Sequence, residues 1–228
     1  MITLEGWRNY NIWDHSAAVL ELYTRRARNE AEEMTCAAQA AELLAGIARP
    51  GESLLDAGCG SGYFFHSLKA RGLALEYRGI DATARFIDIG RAFLPAAGLP
   101  ADRLAVARIE DLDGEVDHAL CMNVLSNIDN YHRPLERLLR VARRSVILRE
   151  SIKDGAEYRY VVDPYLEAPR PLKVHVNAYD RREIIAFMES HGYAVREVED
   201  RRARGRPEMV IDQPHYWTFL VALRRSGA

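Results

Sequence analysis

The chain has 228 residues, 48% hydrophobic and 28% charged, which suits one large globular domain or one domain with an appended cap. Its net charge of −2 gives no global field to recruit nucleic acid or an anionic membrane surface. No run approaches the ~20 apolar residues of a membrane span.

The opening residues, Met1 to Gly6, lack the basic start and apolar core of a signal peptide. Residues 1–15 are aromatic-rich and irregular, with Trp7, Tyr10 and Trp13. Ser16 then starts a helix with Ala17, Val19, Leu20 and Leu22 as its apolar part, and a charged stretch runs from Tyr23 to Glu33. A second helix carries Cys36, Ala40, Leu43, Leu44 and Ile47 and stops at Pro50-Gly51. Leu54-Leu55-Asp56 reads as a buried strand, Gly58, Gly60 and Gly62 as a tight turn, and Tyr63-Phe64-Phe65 as the start of a helix. Glycines permit positive φ and let a ligand approach the backbone, and a helix N-terminus offers unpaired N–H groups.

A second strand, Leu75 to Ile80, ends at Asp81, and a helix covers Phe86 to Leu94. Pro95 and Pro100 precede a third strand at Leu104–Ala107, and Glu115 to Met122 form a fourth. Arg133 to Arg143 is helical, with Leu135, Leu138, Leu139 and Ala142 inward, and Ser145 to Leu148 is the fifth strand. After a polar, aromatic stretch at 151–178, a helix starts at Tyr179-Asp180. Ala194–Val198 is a sixth strand. The arginines Arg201, Arg202, Arg204 and Arg206 open a long loop, and Tyr216–Leu223 is a last, antiparallel strand. Cys36, Cys59 and Cys121 are odd in number and far apart, so no disulfide or metal site is expected and a reducing cytoplasm is.

The turn discriminates between ligands. A dinucleotide fingerprint, read from Gly58, needs its third glycine where Tyr63 stands, and Asp56 would face a pyrophosphate. No lysine is near, as a P-loop requires. The spacing from Asp56 through Gly58, Gly60 and Gly62 instead resembles the first motif of class I S-adenosylmethionine (SAM) methyltransferases. Asp81, 25 residues after Asp56, ends the second strand, where an acid can accept both ribose hydroxyls. The run from Glu115 to Ile128 resembles the fourth strand and following loop of that family, with Asn127 in place of its usual histidine.

The resemblance covers residues 35–150 and implies a Rossmann-like, doubly wound α/β fold: seven strands, mostly parallel, the last antiparallel. It implies a lid at 1–35, a methyltransferase domain at 36–228, and acceptor-pocket insertions at 150–179 and 201–215. It also implies a cofactor site. Asp56, Gly58, Gly60 and Gly62 would face the methionine end, Asp81 and Ala82 the ribose, and Glu110 or Asp111 the adenine. Main-chain carbonyls at Met122 and Asn123 would receive the ammonium.

The insertions and the lid should meet at the carboxyl edge of the sheet and build the acceptor pocket. They carry Tyr158, Tyr160, Tyr165, Lys173, His175, Asn177 and His215. An oxygen acceptor needs a base, and His175 and then His215 are the candidates. The arginine loop, whose charge Glu199, Asp200 and Glu208 only partly offset, would grip an anionic group. The expected acceptor is a small polar molecule, anionic or sugar-like. An RNA or protein methyltransferase, or a SAM-binding protein without catalysis, stays open at this point.

Overall fold

A computed structural model describes residues 12–167 and 171–225, so Trp7, Tyr10 and Pro169 lie outside the described residues. The central sheet is built from β1 (Ser53–Ala57), β2 (Glu76–Asp81), β3 (Leu104–Val106), β4 (Val116–Met122), β5 (Ala142–Lys153), β6 (Tyr193–Glu199) and β7 (Trp217–Arg224). Their order is β3-β2-β1-β4-β5-β7-β6. β1 to β5 are parallel, and β7 runs antiparallel to both β5 and β6. Tyr179–Asp180 adds a two-residue eighth strand, parallel to the end of β5. The chain order reverses between β1 and β4, and the crevice outside their carboxyl ends is where ligands bind in such sheets.

Helices α1 (Ala17–Ala27), α2 (Thr35–Ala45), α3 (Phe64–Ala70), α4 (Ala84–Phe93), α5 (His132–Val141) and α6 (Arg181–Ser190) complete the domain. Side chains alternate across a strand, so one run feeds two cores. Leu54 and Ile147 pack with Leu44, Phe64, Leu68 and Ile87 of α2, α3 and α4. Their neighbours Leu55, Val146 and Leu148 pack with Leu135, Leu138, Ile184 and Met188 of α5 and α6. This double burial explains why β1 and β5 read as near-continuous apolar runs.

Among the boundaries that differ from expectation, which include Ala142 starting β5 instead of ending the helix before it, three have a clear physical reason. α1 continues through the charged stretch to Ala27, because Tyr23 stacks on Phe86 of α4 with ring centroids 4.2 Å apart. β5 runs past Leu148 to Lys153, because Arg149 and Glu150 are charged yet buried and partnered. The last helix starts at Arg181, with Asp180 as its cap accepting from the Arg182 and Glu183 N–H groups.

The insertions form a cap. Tyr160–Val162 pairs antiparallel with Lys173–His175, and Glu208–Val210 pairs antiparallel with Gln213–His215 inside the expected loop. Leu166, Val174 and Val176 make a small core of their own, joined by Val161, Leu172, Ile12 and Ile211. The N-terminal segment and both insertions therefore meet in one cluster. Among the described residues, no helix is long and apolar enough to cross a membrane.

Candidate cofactor and acceptor site

The turn after β1 is held by main-chain bonds: the Gly58 and Cys59 N–H groups both donate to the Ile80 carbonyl, at 2.8 and 2.9 Å. Gly58, Gly60 and Gly62 have φ of 77°, 57° and 73°, a region that penalises any Cβ. The chain's own packing adds a second reason at all three, most sharply at the first two. A Cβ on Gly58 would lie 2.2 Å from Val124 Cγ2, and one on Gly60 would lie 2.1 Å from Tyr23 Cε1. A side chain at either position would first displace Val124 or Tyr23.

Asp81 closes the turn onto β2. Its Oδ2 accepts from the Gly60 N–H at 2.9 Å and its Oδ1 from the Thr83 N–H at 2.8 Å. Each oxygen keeps lone pairs for a further donor. Burial raises the Asp81 pKa against these bonds. Asp56 is buried at the end of β1, where its Oδ2 accepts from the Tyr77 hydroxyl at 2.7 Å. Burial pushes its pKa up to about 7. Tyr23, over the turn, is pushed up to about 12, chiefly by burial and in part by the charges of Asp81 and Asp56. Two acids around a glycine turn suit a cationic ligand and would repel a pyrophosphate.

At the neighbouring strand ends, Ala82 is exposed between Asp81 and Thr83. Ile109–Asp111 forms a single helical turn in which Ile109 is buried. Glu110 is partly buried and faces Arg108 at 3.4 Å, whereas Asp111 is exposed and pairs with Arg133 at 3.8 Å. Met122 ends β4, and Asn123 follows with φ of 60°. Three contacts hold Asn123 there. Its N–H donates to the Arg149 carbonyl, its Oδ1 accepts from the Arg149 guanidinium, and its carbonyl accepts from Asn127 Nδ2 at 2.9 Å. Asn127, where the family's histidine was expected, thus binds the carbonyl expected to face the ammonium.

Two residues missed in the sequence organise this edge. Arg149 is buried, pairs with Asp200 at 2.7 Å and lies 4.5 Å from the Trp217 ring centroid. Glu150 is fully buried and accepts four hydrogen bonds, from the N–H groups of Val124, Leu125 and Ser126 and from the Ser126 hydroxyl. Burial raises its pKa and the bonds oppose this. Asn177 and Tyr179 brace the same loop: Asn177 Nδ2 donates to the Ile128 carbonyl and the Tyr179 hydroxyl to the Leu125 carbonyl. The signal for Glu150 was present, as an Arg-Glu pair directly follows the apolar run Val146-Ile147-Leu148.

The histidines part company. His175 lies against Tyr160, ring centroids 4.6 Å apart and tilted by 32°, beside exposed Lys173. In this hairpin, Tyr160, Val162, Lys173 and His175 share the face opposite the cap core that Val161 and Val174 fill. His215 is buried, stacks on Trp217 at 4.7 Å and places Nδ1 3.2 Å from the Gln213 carbonyl. Burial lowers its pKa. The arginine loop is better balanced than its sequence suggests: Arg201 pairs with Glu42 of α2 at 2.5 Å, and Arg202 pairs with Glu208.

The strand order and the glycine turn backed by an acid on β2 define a class I methyltransferase, whose cofactor is SAM. The family described as "Methyltransferase domain" matches residues 26–198, and the chain belongs to it. No curated protein matches. Among solved structures, the chain is similar to magnesium protoporphyrin IX methyltransferase from Synechocystis PCC 6803 with bound SAM. That pair is 18% identical with a TM-score of 0.58, covering 98% of this chain and 93% of the other. It is also similar to an S-adenosylmethionine-dependent methyltransferase from Clostridium acetobutylicum ATCC 824, at 12% identity and TM-score 0.63, covering 94% and 99%. A third is the CcbJ methyltransferase from Streptomyces caelestis, at 13% and 0.61, covering 95% and 100%.

Glu150→Ala would leave three backbone N–H groups and a hydroxyl unpaired; at about 1–3 kcal/mol for each buried group, a total loss of ~3 kcal/mol or more is expected. Denaturant unfolding measures it. Asp56 sets a pH dependence of opposite sign to that of most acids. Between an unfolded pKa near ~4 and a folded one of about 7, only the folded state keeps the proton, so raising pH favours unfolding. Without cofactor, Asp56→Asn should therefore be more stable than the parent at pH 8, by roughly 2–4 kcal/mol, and match it near pH 4. Thermal melts across pH check this.

Proposed function

We propose that this enzyme methylates a small, polar, hydroxyl-bearing acceptor, sugar-like in character, at the carboxyl edge of the sheet. The observation that carries the reading is the single apolar cluster in which Ile12, Val161, Leu166, Leu172, Val174, Val176 and Ile211 meet. It draws the N-terminal segment and both insertions over one place, and excluding water and orienting the acceptor is the protein's main task in methyl transfer. When bound, SAM supplies a methyl group already activated on a sulfonium sulfur and leaves as S-adenosylhomocysteine. The chain's own residues hold and align. Asp81 takes ribose hydroxyls and Glu110 reaches the adenine edge. Asp56 and the carbonyls of Met122 and Asn123 face the ammonium.

His215 is the favoured base. Its lowered pKa keeps the imidazole neutral at pH 7. With the Nδ1 proton given to the Gln213 carbonyl, Nε2 can accept a proton from an acceptor hydroxyl. The N-terminal end of β7, beside His215, lies at the carboxyl edge because β7 is antiparallel to β5. His175 is the second candidate and faces the other side of its hairpin. Arg201 and Arg202 already neutralise Glu42 and Glu208, so the sugar-like part of the expectation is favoured over the anionic part.

Labelling a metabolite extract with methyl-tritiated SAM, then fractionating by size, tests the substrate class. Label should appear in small polar metabolites, and label confined to RNA or protein would refute the reading. With the acceptor in hand, His215→Asn should lower kcat by about 10²–10⁴-fold and leave S-adenosylhomocysteine affinity unchanged. In the parent enzyme, kcat/KM for the acceptor should fall only below pH ~6.5, as the imidazole protonates.

A further inference from the structure

We propose that Asp14, in the N-terminal turn Ile12–His15, is a second ribose-binding carboxylate, which joins cofactor binding to closure of the cap. The inference rests on the SAM site above. Asp14 Oδ1 is buried and has no hydrogen-bond partner. A buried acceptor without a donor is costly, and a ligand hydroxyl would relieve that cost. The turn is fastened next to Asp81: Arg85, four residues further on, donates from Nη1 to the Asp14 carbonyl at 3.2 Å. Asp81 senses the Asp14 charge. Burial is the largest cause of the raised Asp81 pKa, and the Asp14 charge adds to it.

Asp81 uses one lone pair on each oxygen for the Gly60 and Thr83 N–H groups and keeps the others for a ligand. Asp14 would add one more acceptor for a ribose hydroxyl. The same turn carries the cap, because Ile12 packs on the cap core and the His15 carbonyl accepts from the Glu167 N–H. A hydroxyl taken by Asp14 therefore fixes the segment on which the acceptor pocket is built.

Calorimetry with S-adenosylhomocysteine and its 2′-deoxy and 3′-deoxy analogues tests the assignment. Asp14→Asn should weaken S-adenosylhomocysteine binding by about 10- to 100-fold, the loss of one hydrogen bond to a charged acceptor. It should weaken one of the deoxy analogues far less, since that analogue already lacks the hydroxyl. Without ligand, Asp14→Asn should melt at or above the parent temperature, because it removes an unpaired charge near Asp81. Asp14→Ala repeats the test with no polar atom. Unchanged affinity, equal losses for all three ligands, or a lower melting temperature for both ligand-free variants would overturn the inference. Failure of the parent itself to bind S-adenosylhomocysteine would instead refute the cofactor reading beneath it.

Discussion

One carboxylate ties the glycine turn to the neighbouring strand. Asp81 accepts from Gly60 on the turn after β1 and from Thr83 at the start of α4. Those two bonds set the glycine turn against β2 and orient the acid. A carboxylate held by backbone N–H groups needs no rearrangement when a ligand arrives, so its orientation is fixed before binding. Tyr23 and Val124 then pack where a Cβ on Gly60 or Gly58 would stand. The glycines thus serve the protein's own closure.

Charge does most of the positioning along the rest of this edge. Glu150 gathers three successive N–H groups of the loop after β4. Arg149 ties Asn123 to Asp200, which in turn accepts from the Arg202 and Ala203 N–H groups. Arg149 and Asp200 are buried and paired, so losing one would strand the other in a low-dielectric interior, whereas Glu150 is held by hydrogen bonds alone. Asp81, and Asp56 once it ionises, bring negative charge to the glycine turn, a field that a cationic ligand would complement.

What was legible in the sequence was local. The run Leu54-Leu55-Asp56 and the alternate glycines gave strand, turn and helix because each is decided by neighbouring residues. The seven main strands followed from the same elements in order, and their mixed direction from the resemblance to the methyltransferase family. What stayed hidden depends on partners distant in the chain. Glu150 meets Leu125 across 25 positions, and Gln39 reaches Glu199 across 160. A charged pair at the end of an apolar strand reads as its end until its partners are known, which is why β5 was expected to stop at Leu148. Local charge balance misled in the same way, because Glu42, the partner of Arg201, lies on α2. The histidines shared one expectation because alternation tells which residues share a face, not which face looks into the pocket.

The central claim is that the acid ending β2, oriented by the glycine turn, holds the cofactor. Calorimetry of S-adenosylhomocysteine binding to the parent and to folded Asp81→Ala tests it most directly. The account predicts binding by the parent and a loss of roughly 2–4 kcal/mol in the variant, as buried hydroxyls lose a charged acceptor. Equal affinity in the two proteins would contradict it.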